Sequence, residues 1–273
     1  MPIAERLIRV LNTQRRVLAQ RLAERLPERS VHVDYLGHPF AYPSGSLIGR
    51  AIRRGDIWDA PLLASLSHAR QGSDFIDIGA NIGATSCGVL HHRPDLRLTA
   101  VEPSNRFLPF LHKNLATWIP KNAKVVPSLI GPAGGSANLI VSPTTASLVR
   151  VELRNQRRAS RERVESQSLE DLLTSVPECS MIKIDVDGYE GQLLLSGANS
   201  LANQRPVLFL EWFPSLHALS GCSTEEVLNL LQQCGYHEAR VFVPSGSPSY
   251  LIDLTELRIP PGQYVDLLLV SQT

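Results

Sequence analysis

Residues 75–83 read Phe-Ile-Asp-Ile-Gly-Ala-Asn-Ile-Gly, and this stretch decides the fold. The segment Asp74–Ile78 is short and mostly apolar, as the buried strands of a parallel sheet are. It runs into a loop with two glycines, and the residues after the loop, Ala84–His92, predict a helix. A strand, a glycine-containing turn and a helix make the first half of a βαβ unit. We therefore expect a doubly wound α/β domain.

The same alternation continues along the chain. Further strands are predicted at Leu98–Val101, Lys124–Ile130, Met181–Val186, Val207–Trp212, Ala239–Val243 and Val265–Val270, with an extra hairpin strand at Ala137–Val141. Helices are predicted at Arg106–Thr117 and Thr224–Cys234. Strands that alternate with helices imply a mostly parallel sheet that is covered on both faces.

The first part of the chain predicts an extension to this domain. Residues 3–28 predict a helix with seven Arg and three Glu up to residue 29, packed on the domain or on a second subunit. The alternative is a basic helix on an anionic membrane surface, although the segment lacks Trp and Phe anchors. Residues 31–42 predict a hairpin, and a second helical stretch follows at 46–69. We divide the chain into a helix-and-hairpin extension, 1–56, and a main domain, 57–273.

The composition excludes several classes of protein. Hydrophobic residues make up 43% of the chain and charged residues 19%, which is typical of a packed core rather than of disorder. A net charge of +1 argues against a general nucleic-acid binder. The four cysteines (Cys87, Cys179, Cys222, Cys234) form no CxxC pair and predict buried thiols rather than a disulfide or zinc site. No apolar run reaches transmembrane length and no signal peptide is recognisable, so we expect a cytoplasmic protein.

The glycine-containing loop predicts a ligand site. Gly79 permits a tight turn and lets a ligand touch bare backbone, and Gly83 lets the following helix approach the strand. Thr85 lies in the first helical turn, where its hydroxyl can meet a ligand carboxylate at the positive helix end. A ligand is therefore expected beyond the carboxyl end of this strand.

Two acids indicate which ligand binds. A dinucleotide loop reads GxGxxG, whereas this one has Asn81 at the second glycine position and the acid Asp77 at the end of the strand. A carboxylate repels a pyrophosphate and attracts the ammonium of an amino-acid-like ligand. Glu102 ends the next strand, about 20 residues on, where an acid accepts ribose hydroxyls. The pattern favours S-adenosylmethionine; an NAD-dependent oxidoreductase is the alternative.

With these motifs in place, the sequence resembles the FkbM-type methyltransferases. The stretches that carry the resemblance are Phe75–Gly83, Val101–Ser104 with Asn114-Leu115 downstream, Met181–Glu190, Leu194–Ala198 and Pro206–Glu211. The segment Val164–Asp171 also resembles the family's approach to the fourth strand. The similarity runs from about residue 57 to residue 270. One departure is Asp187, where many members have Glu.

The resemblance implies a fold, a cofactor and a class of reaction. The fold is the seven-stranded class I methyltransferase (Rossmann-like) sheet, the methyl donor is S-adenosylmethionine, and the transfer is usually to oxygen, on sugar or polyketide-type hydroxyls. With the loop chemistry, it assigns as cofactor-binding residues Asp77, Gly79, Ala80, Asn81, Ile82, Gly83, Thr85, Glu102, Pro103, Ser104, Ser128 and Asp185. Because the third strand ends without an acid, Ser128 or backbone groups are left to contact adenine.

The stretch Met181–Glu190 holds the candidate catalytic residues. We predict Asp185 as general base or substrate-orienting group, with Lys183, Glu190 and Glu211 as supporting polar residues. In the alternatives, Lys183 pairs with a buried acid and Glu190 complements a helix dipole. A Mg²⁺ or Ca²⁺ site formed by Asp185, Asp187, Glu190 and Glu211 is a less favoured alternative, because these residues lack the tight spacing of metal ligands. No metal is therefore predicted.

The acceptor is the least defined part. We expect a small hydroxylated molecule such as a sugar, a glycolipid or a polyketide-like compound. The segment Arg150–Arg163 contains six Arg and predicts a solvated loop; the alternative is a lid that recognises an anion. His217 and His237 are interpreted as surface or core histidines, with His217 an alternative lining residue of the acceptor pocket. A binding protein that keeps the fold without turnover is a further alternative.

Overall fold

The computed structural model describes residues 30–118, 122–131, 135–142, 146–147, 160–244 and 248–271. The strands, in chain order, are β1 (Ser30–Tyr35), β2 (His38–Pro43), β3 (Asp74–Ile78), β4 (Arg97–Val101), β5 (Ala123–Val126), β6 (Leu129–Ile130), β7 (Gly135–Val141), β8 (Ala146–Ser147), β9 (Ser160–Gln167), β10 (Cys179–Ile184), β11 (Val207–Trp212), β12 (Glu238–Phe242), β13 (Tyr250–Asp253) and β14 (Val265–Leu269).

The helices surround the larger sheet. They are α1 (Leu47–Arg53), α2 (Ala60–Ala64), α3 (Ala84–His92), α4 (Leu108–Leu115), α5 (Leu169–Ser175), α6 (Glu190–Leu195), α7 (Ala198–Gln204), α8 (Pro214–His217) and α9 (Thr224–Gln233). Short 3₁₀ turns follow α2 and α8. Within the described part of the chain, no helix combines the length and the hydrophobicity needed to cross a bilayer.

The larger sheet confirms the predicted class I methyltransferase architecture. Its order is β13-β12-β14-β11-β10-β3-β4-β5. The pairs from β11 to β5 are parallel, and β14 is antiparallel to both β11 and β12. From β3 the chain builds outward to β4 and β5, then crosses to β10 on the other side. This reversal between β3 and β10 is where open α/β sheets bind their ligands.

The strand count differs from the predicted seven by one. The additional strand is β13, which lies at the edge and pairs with β12 alone in this sheet. Tyr250 and Leu251 are exposed on it, so it lacks the buried apolar run by which the other strands were predicted. An edge strand pairs with one neighbour and its other edge faces solvent, so it does not need a continuous apolar run.

The alternation of side chains along the strands produces two cores. Ile76, Ile182 and Leu208 are buried on one face of the sheet. Phe75, Met181 and Phe209, at neighbouring positions, are buried on the other. Successive residues of a strand point to opposite faces, so continuously apolar strands such as β10 are covered on both sides.

The predicted strand Lys124–Ile130 is wrong in its length. The chain breaks at Pro127 and forms two strands, of which β5 ends the larger sheet and β6 joins a smaller one with the order β6-β9-β7-β8. The predicted hairpin strand is confirmed as β7. Of the predicted loop Arg150–Arg163, residues 160–163 begin β9, and residues 150–159 lie outside the described residues.

The predicted hairpin is confirmed as β1 and β2, which pair in an antiparallel arrangement. The predicted helical stretch 46–69 is divided into α1, α2 and a 3₁₀ turn. Phe40 and Tyr42 of β2 are buried in the same core as Phe75 of β3. The division of the chain at residue 56 remains a proposal, and the predicted helix 3–28 lies outside the described residues.

Candidate active site

The loop after β3 is built around a close backbone contact. Gly79 has φ +83, and a Cβ added to it would lie 1.9 Å from the carbonyl oxygen of Asp185. The N–H groups of Gly79 and Ala80 both donate to the carbonyl of Val101 at the end of β4, at 3.0 Å each. Glycine is therefore required here because the ends of β3 and β10 approach each other, and the same bare backbone lines a cleft.

The remainder of the loop packs inward. Ala80 and Ile82 are 4% and 0% exposed and belong to the core, so neither side chain faces the cleft. A Cβ on Gly83 would lie 2.8 Å from Leu111 Cδ1. A glycine is therefore needed at position 83 to leave room for Leu111 of helix α4. The predicted reason for Gly83, a close approach of α3 to its strand, is wrong.

Glu102 joins the loops that follow β3 and β4. Its Oε2 accepts a hydrogen bond from the Asn81 N–H at 2.9 Å, and its Oε1 accepts one from the Ser104 N–H at 2.8 Å. Burial raises the pKa of Glu102 to about 7, although these two N–H groups act in the opposite direction. Glu102 is 4% exposed and forms part of the cleft wall, and a carboxyl oxygen that accepts one hydrogen bond has a second lone pair.

The cleft lies between the larger and the smaller sheet. It encloses about 430 Å³, part of it open to solvent, and its wall consists of Ile78, Gly79, Val101, Glu102, Pro103, Ser128, Leu129, Ile130, Leu139, Asp185, Val186 and Tyr189. The wall is mostly apolar, with the carboxyls of Glu102 and Asp185 on either side of Gly79. Five predicted cofactor residues therefore line one cleft.

Two serines near this cleft already have partners. Ser128 Oγ lies 3.1 Å from the Leu129 carbonyl and 3.3 Å from the Glu165 carbonyl. Ser104 is fully buried, and its Oγ lies 3.3 Å from Glu162 Oε2. Ser104 does not line the cleft; it fastens the loop after Glu102 to β9, which corrects its predicted contact with the ligand.

Lys183 lies among three carboxylates and is 4% exposed. Its Nζ is 3.0 Å from Asp185 Oδ2, 3.6 Å from Asp77 Oδ1 and 3.9 Å from Asp59 Oδ2. Burial by itself lowers the pKa of a lysine, but these carboxylates outweigh it and raise the pKa of Lys183. The structure thus has Lys183 paired with buried acids, as the alternative interpretation of the sequence proposed.

Asp77 faces the protein interior. Its Oδ2 accepts a hydrogen bond from Ser86 Oγ at 2.6 Å, and its Oδ1 is directed at Lys183. The ammonium beside Asp77 is therefore that of Lys183, which corrects its predicted role towards a ligand ammonium. The Thr85 hydroxyl likewise donates to Asp59 instead of meeting a ligand carboxylate. Both side chains support the site through contacts within the protein.

Two further acids extend this group along the carboxyl edge of the sheet. Glu211 on β11 lies directly opposite Asp266 on β14. Burial raises the pKa of Glu211 to about 10, and the nearby Asp185 and Asp187 add to the shift. Burial also raises the pKa of Asp266 to about 7. Glu211 consequently keeps its proton at neutral pH and can donate as well as accept a hydrogen bond.

Glu190 is fully buried, so it supports the turn beside the cleft from within. Its Oε1 accepts hydrogen bonds from the N–H groups of Val186 and Gly188, at 3.1 and 3.0 Å. His217 is also fully buried, 3.5 Å from Glu190 Oε2, and does not line the cleft. His237 is exposed.

Asp59 and Asp266 belong to this group of acids but were not predicted from the sequence. Asp59 occupies the cap position before Pro61 of α2, and burial raises its pKa to about 6. Asp266 interrupts the apolar strand β14, and an acid within such a run is a signal that could have identified it.

Among the described residues, no three or more His, Cys, Asp or Glu side chains are arranged to hold a metal ion. The four cysteines are buried and free, as predicted.

The chain is similar to known methyltransferases. The family model for the methyltransferase FkbM domain matches residues 77–238. Similar solved structures include a methyltransferase FkbM from Methylobacillus flagellatus KT (16% identity, 72% of this chain and 44% of that chain, TM-score 0.44), a precorrin-6y C5,15-methyltransferase from Geobacter metallireducens GS-15 (13%, 78% and 86%, 0.42) and an rRNA methylase from Streptococcus thermophilus (11%, 78% and 93%, 0.44).

The extent of these matches differs between comparisons. No curated protein matches the sequence. This chain spans less than half the length of the Methylobacillus protein, of which 44% is covered. The family match, over residues 77–238, covers more than half of the 273 residues of this chain. The chain belongs to the FkbM methyltransferase family, and its methyl donor is S-adenosylmethionine.

Proposed function

We propose that this methyltransferase acts on a hydroxyl group of a small acceptor such as a sugar, a glycolipid or a polyketide-like compound. The observation that carries the proposal is the position of Asp185. Its side chain is 32% exposed, lines the cleft beside Gly79 and is held 3.0 Å from Lys183. A hydroxyl must lose its proton during methyl transfer, and an accessible carboxylate in a fixed position can accept that proton.

The cleft residues fit S-adenosylmethionine on chemical grounds. The Glu102 carboxyl, which directly follows β4, would accept hydrogen bonds from ribose hydroxyls. Ile130 and Leu139 supply an apolar wall for a purine ring. The open backbone at Gly79 and the acid Asp185 would hold the amino-acid part. When bound, the sulfonium supplies an electrophilic methyl group.

The side chains of this protein then have separate tasks. Asp185 orients the acceptor hydroxyl and takes its proton, while Lys183 stabilises the charge of Asp185 from below. Holding the acceptor and donor in line is itself a large part of the acceleration. Glu211 lies on the neighbouring strand β11, where its carboxyl group can bind a second hydroxyl of the acceptor.

The carboxyl groups of this edge support a neutral, hydroxyl-rich acceptor. Asp185, Glu211 and Asp266 lie at the same end of three adjacent strands, and carboxyl groups form hydrogen bonds with hydroxyls whether they are ionised or protonated. An ionised Asp185 also repels anions, which disfavours the anionic acceptor that the arginine-rich segment had suggested. In that segment, Arg163 donates to Ser136 on the smaller sheet.

We retain three further predictions as proposals. They are the cytoplasmic location, the division at residues 56 and 57, and a homo-oligomer formed through the N-terminal segment. Light scattering on the full chain and on a chain without residues 1–29 measures the last of these. A mass equal to one chain for both proteins would contradict the oligomer.

The test of function uses methyl-labelled S-adenosylmethionine. Wild-type protein is incubated with fractions of sugars, glycolipids and polyketides, and the label must enter an ether that survives mild base, which cleaves methyl esters. The Asp185→Asn variant should bind the donor and transfer about 10³-fold more slowly. Donor binding with no transfer to any fraction would favour a binding protein without turnover. Label on nitrogen or carbon would overturn the O-directed proposal.

A further inference from the structure

The turn that carries Asp185 is held in an unusual backbone conformation. Asp187 has φ +54 and Gly188 has φ +93, so two successive residues are left-handed. Left-handed backbone costs about 1–2 kcal/mol for a residue with a side chain. The Val186 and Gly188 N–H groups flank Asp187 in sequence, and both donate to Glu190 Oε1. Glu190 is thus the group that offsets the strain of this turn.

The second oxygen of Glu190 faces a buried histidine. Oε2 has no hydrogen-bond partner, and His217 Nε2 lies 3.5 Å away. Both side chains are 0% exposed, and neither ring nitrogen of His217 has a hydrogen-bond partner. A buried carboxylate oxygen without a polar neighbour is costly, and the imidazole edge of His217, with Nε2 at 3.5 Å, is the polar group that faces Oε2.

The histidine is itself fixed by packing. Its ring meets the Trp212 ring edge-on, with centroids 4.5 Å apart and planes at 78°. The residue before it, Leu216, lies so close to Gly188 that an added Cβ there would be 2.1 Å from Leu216 Cβ. Helix α8 therefore contacts the turn twice, once through Leu216 and once through the His217–Glu190 pair.

We propose that His217 is a positioning residue for methyl transfer, acting through Glu190 on the turn that carries Asp185. His217 lies behind the turn and outside the cleft wall, so it touches neither donor nor acceptor. The imidazole of His217 faces Oε2 and orients the Glu190 carboxyl group, and Oε1 of that group accepts the hydrogen bonds that keep Val186 and Gly188 in place. The pair also connects the turn to the segment after β11, the strand that ends with Glu211 and Trp212. The catalytic part of this inference rests on the proposed role of Asp185.

The first experiment removes the ring nitrogens of His217 and keeps an aromatic ring. His217→Phe leaves Oε2 of Glu190 buried without a polar neighbour, and we expect kcat to fall about 10²-fold, as misplacement of a reacting group does. The Kd for S-adenosylhomocysteine should change less than about tenfold, because Asp185 is displaced while Gly79 and Glu102 are untouched. Amide exchange at Val186 and Gly188 should accelerate. His237→Phe, at an exposed histidine, is the matched control and should change none of these.

The second experiment tests the path through Glu190. Glu190→Gln keeps an acceptor oxygen for the turn and removes the charge, so combining it with His217→Phe should restore kcat to within about threefold of the Glu190→Gln single variant. If the losses of the two variants simply multiply, the proposal is overturned. If His217→Phe does not fold, the same cycle is run with His217→Gln.

The exchange data separate this inference from the role of Asp185. Faster exchange at Val186 and Gly188 with unchanged kcat would support the connection and contradict the assignment of Asp185. Unchanged exchange in a folded His217 variant would overturn the positioning role itself, whatever happens to kcat.

Discussion

The two halves of the cleft edge are built by different means. Beside β3 and β4, the site is held by backbone hydrogen bonds: Gly79 and Ala80 donate to Val101, while Asn81 and Ser104 donate to Glu102. Beside β10, it is held by charges around Lys183, whose Nζ faces Asp59, Asp77 and Asp185. In the function that we propose, the donor side is a shape made by the main chain, and the acceptor side is an electrostatic arrangement of side chains. Variants on the two sides should therefore fail differently.

Asp185 lies at the boundary between the two halves, and its replacement should have the largest effect. Asp185→Asn preserves the size of the side chain and removes the proton acceptor, so kcat should fall about 10³-fold. The Kd for the cofactor should change less than about tenfold. Steady-state kinetics and calorimetry measure both, with the exposed Asp56→Asn as control. Equal losses in kcat and cofactor affinity would place Asp185 on the donor side alone.

Gly79 tests the main-chain half. Gly79→Ala places a residue with a side chain in left-handed backbone, and its Cβ clashes with the Asp185 carbonyl. The free energy of unfolding should therefore fall by about 3–5 kcal/mol. Gly72 has φ +66 and nothing within 4 Å of an added Cβ. Gly72→Ala should therefore show the backbone cost alone, about 1–2 kcal/mol, in denaturant titrations. Similar losses for both variants would mean that the close contact has no energetic consequence.

Glu102 tests the same half through affinity. Glu102→Ala removes the acceptor for ribose hydroxyls and releases both loop N–H groups, so the Kd for S-adenosylhomocysteine should rise about 10- to 100-fold. At saturating cofactor, kcat should change little, because the acceptor side is intact. Isothermal calorimetry measures this, with the exposed Glu225→Ala as control. A large loss of kcat with unchanged affinity would reverse the assignment of the two halves.

Glu211 tests the charged half through its pH dependence. Its pKa rises from 4.5 to about 10 on folding, so the folded state keeps a proton that the unfolded state loses. This contribution to stability is complete below pH 4.5 and is lost as the pH rises towards the folded pKa. Wild-type Tm should therefore fall between pH 6 and pH 9, by a few degrees, and the fall should be smaller in Glu211→Gln. Identical pH profiles for the two proteins would contradict the burial of this carboxyl.

The sequence predicted the main-chain half well, for a local reason. The strand, the loop from Asp77 to Gly83 and the acid Glu102 are short-range patterns, and the chain has few ways to satisfy them. The reasons for individual glycines were less accessible. Gly79 meets Asp185 and Gly83 meets Leu111, and both contacts depend on how distant elements pack.

The charged half was predicted less completely. Lys183 and Asp185 could be identified because they stand close together at the end of one strand. Asp59 and Asp266 come from segments more than 70 residues away on either side, and the sequence does not show that they converge on Lys183 or Glu211. Asp77 and Thr85 were assigned to a ligand because their polar partners in the protein could not be seen in the sequence.

We propose that the cleft between Glu102 and Asp185 binds S-adenosylmethionine. Calorimetric titration of the wild-type chain with S-adenosylhomocysteine, and separately with NAD, measures this binding. We expect one-to-one binding of S-adenosylhomocysteine that Glu102→Ala weakens, and no heat of binding with NAD. Binding of NAD without binding of S-adenosylhomocysteine would contradict it.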